Sequence, residues 1–209
     1  MSEKREALAA FHRSQVIEAA KVLFLEKGVE ATTMDEIAKG AGYSKSTVYV
    51  YFASKEEIYD HIVCQSMVLL KFKIERSVSA VEGFVDRFFS CCRAVKGFYE
   101  EYPLFFESLT GEIAVSEEAF LKEPVLREIY RVGEEINGIL ERLLNGGREE
   151  GVLRGGVDPL PAAFLLWAGL CGIIRMAYAK EAYYTRRMGL SREAFLETGF
   201  SMLLQSLRA

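Results

Sequence analysis

Histidine and cysteine are scarce, so metal and redox chemistry have few residues to use. The 209 residues hold two histidines, His12 and His61, and four cysteines, Cys64, Cys91, Cys92 and Cys171. Neither histidine has a cysteine or acid partner at metal-ligand spacing, and no CxxC pair occurs. The cysteines are too irregularly spaced for a disulfide framework, so reduced thiols, no metal and no cofactor are expected. Proline is also rare: all four lie beyond position 100, so nothing in the first half forbids long helices. No charge sign dominates either. With 26 basic and 30 acidic side chains the net charge is -4, half the residues are hydrophobic and 27% are charged, a soluble globular composition that excludes wholesale disorder and fibrous folds. The longest nearly unbroken apolar run, 162–174, would span about 20 Å as a helix against a bilayer core of roughly 30 Å, and reads as a buried helix. The opening residues mix Glu3, Lys4, Arg5, Glu6, His12 and Arg13, with no basic segment leading into an apolar one. A cytoplasmic protein without a membrane partner is the expectation.

Period-two alternation is rare, whereas apolar residues recur at spacings of three and four, as in Ile17, Ala20, Phe24 and in Ile136, Ile139, Leu140, Leu143. The chain is therefore expected to be all-α, with about nine helices. Gly28, the Gly40–Gly42 turn, Pro103, Pro124, the 155–161 stretch and Gly189 mark helix ends. The first helices should be short, about 13–27, 33–39 and 44–52, and the fourth should run from 54 to about 76. That asymmetry predicts two domains, 1–53 and 54–209. Thr33 with Glu36, and Ser54 with Glu57, have the spacing of capping boxes, in which a hydroxyl and a carboxylate three residues on each satisfy an orphan backbone N–H.

The second and third predicted helices are joined by Gly40-Ala41-Gly42-Tyr43, a turn with the length and glycine content of a helix-turn-helix. Val48 and Phe52, four apart, would face the core and leave Lys45, Ser46, Tyr49 and Val50 on other faces. Such side chains can bond phosphates or base edges, and Val50 can touch a thymine methyl. The stretch 39–55 carries three lysines and no acid, although residues 1–61 as a whole hold eight basic against ten acidic side chains. The positive footprint is local and modest.

The continuous segment 32–57, TTMDEIAKGAGYSKSTVYVYFASKEE, resembles the DNA-binding segment of the TetR family of transcriptional repressors. The likeness includes the ending Tyr49-Val50-Tyr51-Phe52-Ala53-Ser54-Lys55-Glu56. It implies DNA contacts by Thr33 at the start of the second helix, by Tyr43, Ser44, Lys45, Ser46, Thr47, Tyr49, Val50 and Tyr51 around the third, and by Lys55 at the start of the fourth. Thr33 and Lys55 sit beside helix N-termini that suit a phosphate, so they would position the protein without reading sequence. Lys45 and Ser46 are the better candidates for base contacts, while Tyr49 and Tyr51 can reach a phosphate or lie along the groove wall. Tyr43 stands where the family usually has a small aliphatic residue, and Val50 where an aromatic or histidine is common. Both departures bear on which operator is read.

Beyond residue 54 no catalytic constellation is visible, and both histidines read as surface or hinge residues. Adjacent Cys91 and Cys92 point about 100° apart on a helix, among Phe88, Phe89 and Val95, which favours core packing over a redox role. Aromatic residues are frequent, and a bundle rich in large rings can leave an apolar cavity between helices. The resemblance places a ligand cavity among the middle helices, with Phe88, Cys92, Tyr99, Phe106, Tyr130 and Trp167 as candidate lining for a small molecule of open class. Arg175 could anchor an anionic ligand head or pair with a carboxylate across an interface. Helices of about 160–182 and 191–207 are apolar on more than one face, and Gly169 and Gly172 would admit another helix. Two from each subunit could form a four-helix dimer interface. The reading is a homodimeric, ligand-responsive repressor of a palindromic double-stranded DNA operator, and not an enzyme. The alternatives are a constitutive DNA-binding regulator or, more remotely, a helical enzyme or carrier.

Overall fold

The computed structural model describes residues 2–109, 117–156 and 158–208. Their regular structure is helical, as the three-and-four spacing predicts, with one isolated bridge between Leu153 and Arg208. The helices are α1 (Ser2–Lys27), α2 (Met34–Ala41), α3 (Lys45–Tyr51), α4 (Lys55–Ser79), α5 (Phe84–Glu101), α6 (Pro103–Ser108), α7 (Glu117–Lys122), α8 (Pro124–Glu149), α9 (Pro159–Ala179), α10 (Glu181–Met188) and α11 (Arg192–Leu207). Two departures from the expected boundaries have local causes. α1 starts eleven residues before the expected 13, because residues 2–12 are mostly Ala, Glu, Leu, Lys and Arg, strong helix formers that extend a helix without an apolar period. The helix expected to reach 182 ends at Ala179, where Lys180 leaves helical geometry at φ -120°, ψ 17° and α10 begins.

Contacts divide the chain into two compact units. The first is Met1–Ser66 with the stretch that ends at Tyr130, and the second is Met67–Glu112 with Arg131–Ala209. The division falls within α4 and within α8.

In the first unit, Val16, Ile17, Ala20 and Phe24 of α1, Ile37 and Ala38 of α2, Val48 of α3, Phe52, and Ile58 and Ile62 of α4 are buried together. Each recurs at helical spacing on its own element, so each helix offers one apolar stripe to a common core. The second unit is built the same way. Phe84, Phe88, Cys91, Cys92, Val95 and Phe98 form the buried stripe of α5, packed with residues of α8, α9 and α11. Both adjacent thiols lie in this core, and burial pushes Cys91 up to about 12.

α9 and α11 meet through reciprocal glycines. A Cβ on Gly169 would lie 2.7 Å from Leu203 Cδ2, and one on Gly199 would lie 2.7 Å from Ile173 Cγ2. Gly169 thus admits a helix of its own chain, while a Cβ on Gly172 would meet nothing within 4 Å. By length and apolarity α9 could cross a bilayer, since its 21 residues extend about 31 Å. Ala162, Ala163, Leu166, Leu170, Cys171, Ile174 and Ala177 are nevertheless buried in the second unit's core, as expected for the run 162–174.

Candidate nucleic-acid interface

The corner between α2 and α3 is held by its own sequence. Thr33 caps α2, its hydroxyl accepting from the Glu36 N–H at 3.3 Å while its N–H donates to Glu36 Oε2 at 2.9 Å. The expected capping box is present. Glu36 also takes a hydrogen bond from Lys27, and these bonds hold its carboxyl down at about 2, the lysine contributing most and Thr33 next. The chain leaves α2 through Gly42 at φ 74°, a left-handed conformation that costs an L side chain about 1 kcal/mol or more. Gly42 and Tyr43 return their N–H groups to Lys39 and Ala38 carbonyls at 3.2 and 2.9 Å, closing the helix end.

Ser44 caps α3 by accepting from the Thr47 N–H at 3.1 Å, and its hydroxyl lies 2.9 Å from that of Ser46 and 2.8 Å from that of Thr47. Val48 and Phe52 are buried, as their spacing predicts. Lys45, Ser46, Tyr49 and Val50 face outward, Val50 with 77% of its surface exposed. A large aliphatic side chain this exposed on a seven-residue helix contributes little to the fold. Lys45 reaches Asp35 of α2 at 3.1 Å in an exposed ion pair.

Some residues expected at this surface have partners within the protein. Lys55 donates to the carbonyls of Val29 and Glu30 at 2.9 and 3.0 Å, tying α4 to the loop after α1. Thr33's hydroxyl is occupied by Glu36. Tyr43 and Tyr51 bracket α3, and His12 touches both. Its Nδ1 lies 2.7 Å from the Tyr43 hydroxyl, and its ring is 5.2 Å from that of Tyr43 and 5.7 Å from that of Tyr51. The sequence reading of His12 as a residue ahead of the first helix is therefore corrected: it lies within α1 and is a strut to both ends of α3. No motif marked it, because the contact spans 31 residues of sequence.

Arg13 was likewise not singled out. Its guanidinium lies 4.7 Å over the Phe52 ring, 3.1 Å from His61 Nε2 and 3.9 Å from Glu57, so α1 is fastened to α4. Burial, and next the Arg13 charge, hold His61 below its usual range. Ser54 accepts from the Glu57 N–H at 3.2 Å, but the Glu57 carboxylate takes the N–H of Ala53, one residue before the one expected.

The residues suggested for a ligand cavity are mostly packing residues. Phe88, Cys92 and Phe106 are wholly buried in the second unit's core. Tyr99 stands edge-on to Phe106 at 5.0 Å and lies against Tyr178 at 4.6 Å, and Trp167 is half-buried against the same core. Arg175 pairs with Glu107 of its own chain at 2.8 Å, a carboxylate partner, but not one across an interface as the sequence reading has it. Tyr130 belongs to the first unit, largely exposed, with Phe120 edge-on at 5.8 Å.

Comparison with known proteins agrees with this geometry. Residues 16–62 match the model of the family described as bacterial regulatory proteins, tetR family. The HTH-type transcriptional regulator YfiR of Bacillus subtilis is 41% identical over 51 residues, 24% of this chain and 25% of that protein. The chain therefore spans about a quarter of this relative's length. YhgD of the same organism, another HTH-type transcriptional regulator, is 25% identical over 72% of this chain and 76% of its own. Likeness to solved structures extends further. A TetR/AcrR-family regulator from Thermobifida fusca is 26% identical with a TM-score of 0.67, covering 94% of this chain and 98% of that one. FadR from Bacillus subtilis, solved with stearoyl-CoA, shares the fold at 17% identity and a TM-score of 0.69, over 93% and 99% of the two chains. The helix-turn-helix, residues 16–62, is thus a tetR-family domain, and the fold that carries it is shared along nearly the whole chain with a TetR/AcrR-family regulator.

Proposed function

We propose that the protein is a homodimeric transcriptional repressor that reads a palindromic operator with α3 and is released by a small molecule. The observation that carries the reading is the outward face of α3. Lys45, Ser46, Tyr49 and Val50 are exposed on a helix whose opposite side is anchored by Val48 and Phe52 and whose entry is fixed by Gly42. Lys45 and Ser46 suit base edges, Val50 a thymine methyl, and Tyr49 either a phosphate or the groove wall. Ser44 and Thr47 flank the same surface. Tyr43 and Tyr51 hold the helix through His12 as well as facing DNA, and Thr33 and Lys55 sit at its margins. Residues 1–53 serve as the reader and 54–209 as the sensing and dimerisation part.

A dimer is favoured by the outer side of α9, where Phe164, Leu165 and Met176 are exposed together with Ala168 and Gly172, and by exposed Met202 on α11. An apolar stripe of this length on a water-facing helix is what a second copy would bury. Two-fold symmetry would set two recognition helices about 34 to 36 Å apart, one turn of duplex. A releasing ligand is favoured by FadR, solved with stearoyl-CoA on the same fold. Such a ligand acts only through its differential affinity for the DNA-competent state.

Selection of binding sites from random duplex DNA, followed by the mass of the complex in solution, tests the reading. An enriched palindrome bound by an even number of chains is expected. No enrichment by folded protein at low salt overturns it.

A further inference from the structure

The second unit carries a groove of about 610 Å³ between the C-terminal half of α4, the start of α5 and the C-terminal half of α8. Its wall is apolar where Phe72, Phe84, Ile139 and Leu143 line it, and Phe72 is more than half exposed. Three arginines line the same groove, Arg76 from α4, Arg87 from α5 and Arg142 from α8. Elsewhere in this unit Lys71, Lys73, Lys96, Arg175 and Arg192 each pair with a glutamate. Arg76, Arg87 and Arg142 form no ion pair with a described residue, although Glu75 and Glu150 line the groove too. Glu150 is directed elsewhere, its carboxylate accepting the Phe84 N–H at 2.7 Å at the start of α5. Arg87 is oriented by its Nε bond to the Val81 carbonyl at 3.2 Å.

Three like charges gathered around an apolar wall repel one another and are relieved by an anion, and guanidinium groups bind phosphate or carboxylate oxygens in pairs. We propose that this groove binds an amphipathic anion, its phosphate or carboxylate head held by Arg76, Arg87 and Arg142 and its apolar tail laid along Phe72 and Leu143. The volume lies within the usual span for small-molecule sites, roughly 300 to 1,000 Å³. The proposal adds a binding site to the ligand-responsive regulator inferred above, and only the regulatory consequence rests on that reading.

The test measures direct binding of decyl phosphate, decanoate and neutral decanol to the full-length protein, each below the concentration at which it forms micelles. One decyl phosphate or decanoate should bind per chain, at least tenfold tighter than decanol, with the preference shrinking as salt rises. The double variant Arg76→Ala/Arg142→Ala should lose that preference, whereas Phe72→Ala should weaken all three probes alike. The ratio between the two anions tells phosphate from carboxylate. Equal affinity for decanol and the anions, or a preference that survives the double variant, overturns the site. Operator binding measured without probe separates the two readings. If the anion binds at the groove and operator affinity does not change, the site stands and the releasing role falls.

Discussion

Asp60, on α4 in the first unit, gives a pH-dependent stability that can be measured without DNA or ligand. Burial, and then the charges of Glu123, Glu56 and Glu57, raise its carboxyl from the usual 3.8 to about 6. Because the folded value is raised, the protonated carboxyl's contribution to stability is fully present below about 4, the unfolded value. It is lost as the pH rises through about 6. At neutral pH the folded protein holds a carboxylate that the unfolded chain would solvate freely. A shift of two units corresponds to about 3 kcal/mol, but the group is only half-buried and water screens its neighbours, so about 1 kcal/mol is the working figure. Asp60→Asn removes the charge and keeps the shape. Thermal unfolding followed by circular dichroism should then show the variant melting about 2 to 4 °C above the native protein at pH 8, with no advantage near pH 4. A gain of the same size at both pH values, or a loss at pH 8, would refute the electrostatic reasoning.

The remaining predictions concern the reader and the core. Tyr43→Phe and His12→Ala each remove the bond that fixes the start of α3, about 0.5 to 1.5 kcal/mol, and should weaken operator binding roughly two- to tenfold while lowering the melting temperature by about 1 to 6 °C. Unchanged affinity in both would show that the strut does not position α3. Lys45→Ala should weaken operator binding, relax the preference at the base it reads and, by removing a charge, lower the salt slope, whereas Val50→Ala should alter base preference and leave the slope intact; titrations of operator and altered duplexes at several salt concentrations distinguish them. Gly147→Ala would put a Cβ 2.7 Å from the buried Phe84 ring. Overpacking of about 1 to 3 kcal/mol then outweighs a helix-propensity gain of about 1 kcal/mol, so a lower melting temperature is expected and a higher one contradicts the account.

The helix-turn-helix was legible because its determinants are local. Thr33, Glu36, Gly42, Ser44, Val48 and Phe52 act on neighbours within a few residues, and each does what its spacing predicts. The candidate ligand residues were less legible. Aromatic content shows how much ring surface must be buried, yet Phe88 and Phe106 in a filled core and a ring lining a cavity have the same composition and the same helical period. Arg175 beside Glu107 shows the same limit, since the partner lies 68 positions away.

The sequence by itself therefore determined the helical class, the α2–α3 corner and the outward residues of α3, because capping, turn chemistry and the 3.6-residue period are near-neighbour effects. Tertiary structure alone decided that His12 braces both ends of α3, that Lys55 holds the Val29 and Glu30 carbonyls, and that Arg76, Arg87 and Arg142 share one groove. Those meetings depend on how distant helices pack, and side-chain contact across tens of residues follows from the shape of the whole core rather than from any local pattern.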